Sequence, residues 1–368
     1  MMKANSFLEI NLKTIARNVS VLRNRIGPQC KLVPVLKGDA YGLGGVRLAK
    51  FLAECDGIDT FAVSHVSEGI EFRNAGISQQ IMVMSLPLPW QVQDAAENDL
   101  ILTLGSFDQF PILRTVAKTI GRKIKVQIKL DTGLHRIGFL SGEVDEFCFE
   151  LKKMMDDLEI YGTFSHFSCD EKQQMVLQDA CFRDGLRKLE EAGINPGLRH
   201  ISSSGSLEVS AEYKYDAVRI GRALTLDNPV FPTGEIQEAV SFRAYITDVR
   251  NRKKGNTLAY GGKVILDKDT RVGVLSIGYG DGLDPSLARV HSPVLVNGQR
   301  AKLIASCMDQ SFLDLGDIPA KEGDEVTVFG YDNQKNLLSA QEVAGLLGSE
   351  GCDLTTELTQ RVERVYLD

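Results

Sequence analysis

From about residue 32 to about residue 220 the sequence alternates short β-rich runs with longer amphipathic stretches, and this rhythm constrains the fold more than anything else in it. Neighbouring parallel strands cannot be joined by a tight turn and need a crossover of about a dozen residues or more, usually a helix. Eight runs read as strands: Leu32 to Lys37, Thr60 to Ser64, Gln80 to Ser85, Leu100 to Leu104, Lys123 to Leu130, Glu159 to Ser165, Gly197 to Ser202 and Asp216 to Ile220. Helical patterns lie between them, for example Val66 to Ala75 and Glu171 to Ala192, the second stopped by AGINPG, which cannot continue a helix. Eight β/α units predict an α/β fold with an N-terminal TIM (β/α)8 barrel over residues 11–234. An open doubly wound sheet would normally carry G-x-G-x-x-G in its first turn, and that fingerprint is absent.

After residue 235 the texture changes to strand-like runs separated by Gly, Asp and Asn turns: Ser241 to Arg250, Thr270 to Ile277, Ser292 to Val296, Arg300 to Ile304 and Glu325 to Phe329. This predicts a C-terminal, mostly-β domain over 235–368, with a short helix from Ala340 to Leu347 and a last segment from Leu354 to Tyr366. The N-terminal SFLEINLK alternates like a strand yet precedes the barrel, so residues 1–10 are expected to join the C-terminal sheet.

The charge balance, 42 Lys and Arg against 49 Asp and Glu, carries no long run of one sign, which argues against nucleic acid as a partner. The longest apolar stretches, such as Ile81 to Leu88, fall well short of the roughly 20 residues needed to cross a bilayer. No membrane association is expected, and the N-terminus has no secretory h-region, so the expected location is the cytoplasm. Seven scattered cysteines with no C-x-x-C pair predict neither a disulfide framework nor a zinc site, and no metal is expected.

In a TIM barrel the reacting groups sit at the C-terminal ends of the strands. There the sequence places Lys37, Lys129 with Asp131, His166, Ser202 to Ser204, and Arg219. A single lysine ending a strand is usually a solvated edge residue; the coincidence of these groups on one rim is what points to chemistry. Lys37 emerges from LVPVL into a glycine-rich loop, where a deprotonated amine can attack a carbonyl. The loops SSSGS at 202–206 and RIGR at 219–222 follow strands seven and eight, where barrels bind phosphate through backbone N–H groups. Taken alone these loops read more readily as tight βα turns with no ligand. A lysine that traps aldehydes and a phosphate cradle on one rim point to pyridoxal phosphate.

Across nearly its whole length the chain resembles the alanine racemases among barrel-type pyridoxal-phosphate enzymes. The resemblance rests on VLKGDAYGLG at 35–44, KLDTGLHRIGF at 129–139, FSHFSCD at 164–170, VRIGRAL at 218–224, LAYGG at 258–262, IGYGDG at 277–282, SCMDQ at 306–310 and RVERVY at 361–366. It implies that Lys37 binds the cofactor aldehyde and later carries a proton, and that Tyr41, Ser204 and backbone near Gly221 hold the phosphate. His166 would pack on the cofactor ring, Arg136 would lie under its phenolic side and Arg219 would face the pyridine nitrogen. Tyr260, the second proton carrier, would come from a partner subunit together with Met308 and Asp309, implying a homodimer with shared sites. A lysine in the position of Lys129 often carries a carbamate that pairs with the arginine matching Arg136, and the same modification is expected here.

Inversion at an α-carbon needs proton carriers on both faces, and a lysine opposite a tyrosine provides them. An arginine facing the pyridine nitrogen stays protonated and cannot protonate the ring, which limits charge delocalisation and favours simple return of the proton. Several positions depart from the family pattern. Thr356, in TTEL, replaces a usual tyrosine, while Ala305 and Pro285 stand where arginines are common. These losses predict a larger pocket with fewer cations at its entrance. The leading expectation is a racemase acting on alanine or a small polar amino acid such as serine. The rivals are a decarboxylase of basic amino acids and a non-catalytic protein that binds pyridoxal phosphate.

Overall fold

The computed structural model describes residues 4–169, 171–209, 211–226, 231–232 and 234–368. The expected strands form as Lys31–Pro34, Thr60–Val63, Gln80–Val83, Leu102–Leu104, Ile124–Asp131, Leu158–Phe164, Leu198–His200 and Ala217–Ile220. Each is parallel to the next, the first two joined through Val35↔Ala62 and the third and fourth through Met82↔Ile101. The seventh and eighth are linked by Asp216 N to Arg199 O at 3.0 Å and Arg219 N to Ser202 O at 3.1 Å. The eighth pairs back onto the first, so the sheet closes into a (β/α)8 barrel with no edge. Val33, Ala62, Met82, Ile101 and Ala217, from five of the strands, pack together as one buried cluster.

The helices cover this barrel by their apolar stripes. On Lys172–Glu191 the buried positions Met175, Gln178, Phe182, Leu186 and Leu189 recur at helical spacing. The helix lies so close that a Cβ on Gly185 would sit 2.6 Å from Leu130 Cδ1, which is why a glycine stands there.

In the second unit Val240–Arg252 is the organising strand, antiparallel to Thr270–Leu275, Glu325–Tyr331 and Ser6–Asn11. Continuing through Ser311–Asp314, Gln299–Ser306 and Pro293–Val296, the pairings return to Glu325–Tyr331 and close a ring of six strands. Ser6–Asn11 lies in this sheet, with Glu363–Leu367 parallel on its other side. Two details differ from the sequence reading. Ser311–Asp314 is an additional four-residue strand, and the last segment divides into the helix Gly351–Thr356 and the strand Glu363–Leu367.

Residues 19–40 and 45–221 form one unit; those up to 18, 41–44 and from 222 onward form the other. The division falls just after the last barrel strand, not at 234/235, because the chain beyond it already bonds within the β unit. Asn18 Nδ2 donates to Leu224 O and Gln237 O, and Ala239 N donates to Thr225 O. Segment 41–44 belongs there because Arg364 Nε donates to Gly42 O at 3.0 Å and Tyr366 Oη to Leu43 O at 2.7 Å.

Candidate active site

Arg219 lies one residue before the end of the eighth barrel strand, with only 4% of its surface exposed. Its guanidinium donates from Nη1 to His200 Nδ1 at 2.6 Å and from Nη2 to His166 Nδ1 at 3.0 Å, and also to the carbonyls of Ser165 and Ile201. A guanidinium has no acceptor, so both imidazoles accept at Nδ1 and carry their proton on Nε2. Their surroundings agree: burial and then the Arg219 charge bring His166 down to about 3 and hold His200 well below the usual histidine range. Burial and then Arg136 lower Arg219 itself to about 9, which leaves it a cation at neutral pH.

Lys129 is 1% exposed and donates to Leu130 O at 2.9 Å and Ser165 Oγ at 3.3 Å. Burial, and then Arg219, bring its ammonium down to about 7. Asp131 works against this and Arg136 adds to it. The Phe164 ring backs the group, 5.2 Å from Lys129 Nζ, 5.5 Å from Arg219 Cζ and stacked on His200. Lys37, Lys129, Arg136 and Arg219 all act electrostatically on His166, so the structure does bring these expected residues together. Nearby, Gly221 N donates to the buried Ser204 Oγ at 3.4 Å.

After Lys37 the expected glycine-rich loop is a turn of left-handed helix. Gly38, Asp39, Ala40, Tyr41 and Gly42 have φ of 61°, 54°, 54°, 58° and 80°. For L-residues this conformation costs roughly 1–2 kcal/mol each, so the three without glycine's freedom store about 3–6 kcal/mol.

In the β unit Tyr260 is 65% exposed and Met308 48%. Ala259, just before Tyr260, has φ 59° and ψ −175°, a region otherwise left to glycine. Asp309 is held by Arg361 at 2.8 Å. A cavity of about 660 Å3 is lined by Tyr260, Lys263, Pro285, Arg289, His291 and Ala305. Lys263 and Arg289 line it together with Pro285 and Ala305, the two positions where the family pattern has arginines. Thr356 ends the helix Gly351–Thr356. Its side chain is exposed and its hydroxyl bonds back to Cys352 O at 2.7 Å, whereas Cys352 is half-buried within electrostatic reach of Tyr41 and Arg222. Burial is also the main cause that pushes the Tyr41 phenol up.

Comparison with known proteins places this arrangement. The family described as alanine racemase, N-terminal domain, matches residues 10–229, and alanine racemase, C-terminal domain, matches residues 239–366. The chain belongs to the alanine racemase family. Alanine racemase 2 of Caldanaerobacter subterraneus subsp. tengcongensis is 31% identical over 98% of this chain and 94% of its own. The alanine racemase of Desulforamulus reducens is 32% identical over the whole of both chains. The structure of the alanine racemase of Bacillus anthracis with bound L-Ala-P superposes with a TM-score of 0.90 at 27% identity, covering 100% of this chain and 96% of that one. The protein is accordingly an amino-acid racemase.

Within this racemase, sequence reasoning missed His200 and Ser165. His200 sits inside LRHIS, two residues before the expected polar strand end at Ser202, and its inward direction was legible only from strand alternation. Among the described residues no His, Cys, Asp and Glu group could hold a metal, and no helix is long and apolar enough to cross a membrane.

Proposed function

We propose that this racemase interconverts the L- and D-forms of alanine, or of serine, using pyridoxal 5′-phosphate held on Lys37. The observation that carries the reading is the concentration of positive charge at the barrel's strand ends. Arg136 and Arg219 bear on Lys129, where Asp131 opposes them, Lys37 joins all three in bearing on His166, and two histidines are kept neutral beside them. Such a site fits a phosphorylated, phenolate-bearing ring, whose charges would relieve the cation repulsion that adds to burial in bringing Lys129 down to about 7. Bound there, pyridoxal phosphate supplies a conjugated system that acidifies the α-hydrogen of an attached amino acid.

The chain's own residues do the rest. Lys37 anchors the cofactor and moves a proton on one face. Arg219, locked by carbonyl and imidazole acceptors, presents a cation to the ring nitrogen and withholds a proton from it. His166, neutral with Nε2–H free to face outward, packs on the ring. Tyr41, Ser204 and Gly221 N bind the phosphate, while Arg136 lies by the phenolic oxygen. Tyr260, exposed in its own unit and projected by a strained turn, serves the opposite face of a second copy's site, with Met308 bordering it. The protein then works as a homodimer, and its seven free thiols fit a cytoplasmic location. The bound L-Ala-P in the Bacillus anthracis structure supports alanine as the substrate.

An amine brought to about 7 is substantially uncharged at neutral pH and can add carbon dioxide, releasing a proton and leaving an anion between Arg136 and Arg219. A carbamate on Lys129 is therefore part of the proposal; intact mass and density showing an unmodified lysine reject it. The main test is an NMR screen of common L-amino acids in deuterated water. Uptake at the α-carbon of alanine or serine without carbon dioxide release supports the reading, and its absence defeats it.

A further inference from the structure

The left-handed turn after Lys37 is gripped by two carboxylates that the racemisation chemistry leaves without a task. Glu68, in the first turn of the helix Val66–Asn74, takes Gly38 N on Oε1 at 2.6 Å. Its Oε2 takes Ser64 N at 2.8 Å and His65 N at 2.9 Å. One carboxylate thus ties the loop after the first barrel strand to the loop after the second. Asp39, itself left-handed, accepts Gly45 N on Oδ1 at 2.5 Å and so fastens the far side of the turn to the start of the helix Gly45–Ala53. Ala40 is buried between these anchors, with its N–H bonded to Leu36 O at 2.9 Å.

Left to itself, a Gly-Asp-Ala-Tyr segment would turn in the right-handed sense. That reversal would change the path of the backbone from which the Lys37 side chain projects. We propose that Glu68 and Asp39 are positioning residues for Lys37, holding the strained turn in the one hand that presents its amine to the barrel rim. The inference rests on the reading of Lys37 as the cofactor anchor. All three groups that Glu68 accepts from are backbone N–H donors, so a glutamine there sets an NH2 against at least one of them. A role confined to capping the helix Val66–Asn74 would involve Ser64 and His65 but not the hand of residues 38–42.

The test follows capture of the cofactor. The full-length chain is equilibrated with increasing pyridoxal phosphate and reduced with borohydride, and the adduct on Lys37 is counted by peptide mass mapping. Glu68→Gln is expected to raise the half-saturating concentration about ten-fold or more, as loss of a charge-assisted hydrogen bond implies. Adding Ala40→Gly, which lets that position turn left at no steric cost, is expected to return it to within about three-fold of the parent. Asp39→Ala should weaken capture while Asp39→Asn, which keeps the accepting oxygen, should not, and this pair decides the matter if Glu68→Gln does not fold. Unchanged capture in Glu68→Gln, or failure of Ala40→Gly to restore it, overturns the proposal. If Lys37 is not the captured lysine in the unaltered protein, the anchor reading has failed instead. Amide exchange then judges the grip: faster exchange at Gly38, Asp39 and Ala40 in Glu68→Gln supports it, and equal rates overturn it.

Discussion

The barrel unit and the β unit hold their functional side chains in opposite ways. At the barrel rim Arg219 and Lys129 are buried and hydrogen-bonded, and burial, with the neighbouring cations adding to it, lowers both. In the β unit Tyr260 and Met308 stand in the open. On the proposed function the buried cationic floor would hold the cofactor, whereas the exposed phenol on its strained turn would serve the site of a second copy. The contrast teaches that binding and turnover should be separable: substitutions on the barrel floor should disturb cofactor uptake, and those at Tyr260 and its turn should disturb catalysis alone.

The largest effect is expected at Lys37. Lys37→Ala should abolish both cofactor capture and racemisation, followed by circular dichroism of the amino acid; retained turnover rejects the mechanism. Next comes Tyr260→Phe, expected to lower kcat by about 10²–10⁴ while capture at Lys37 is unchanged. A parallel loss of capture would break the comparison. A third measurement concerns pH. Lys129 binds its proton at about 7 in the folded protein but near its ordinary value of 10.5 when unfolded. Between those values the unfolded chain holds the extra proton, so stability rises with pH across that window. In buffer free of carbon dioxide, Lys129→Met should therefore raise Tm by roughly 3–6 °C at pH 6, with the advantage fading to nothing above the window. Equal Tm values at pH 6 would contradict the charged burial. The smallest effect belongs to Ala259→Gly, which removes about 1 kcal/mol of backbone strain and should stabilise the β unit slightly in urea unfolding. Its kcat should fall as Tyr260 loses a fixed projection, again with capture intact.

Much of this was legible in the sequence for a physical reason. Barrel strands are buried on both faces, so they appear as short apolar runs, and the polar residue ending each run marks the rim. That logic located Lys37, Lys129, His166 and Arg219. It failed where function depends on direction. Nothing in Asp39-Ala40-Tyr41 announces a left-handed turn, since that hand is imposed by partners distant in sequence such as Glu68. Glu68 itself looks like an ordinary acid at a helix start. Thr356 and Cys352 lie one helical turn apart, and only the coordinates show which of them faces Tyr41.

The place of Ser6–Asn11 in its sheet bears on how the protein is made. Translated long before either neighbour, this strand has Val240–Arg252 on one flank and Glu363–Leu367 on the other. At roughly 5–20 residues per second, it waits tens of seconds for its final neighbour. The barrel strands, each paired to the next in order, can assemble during that interval. Nascent chains are thus expected to mature barrel first, with the exposed edge of an early strand in need of shelter until translation has passed residue 367.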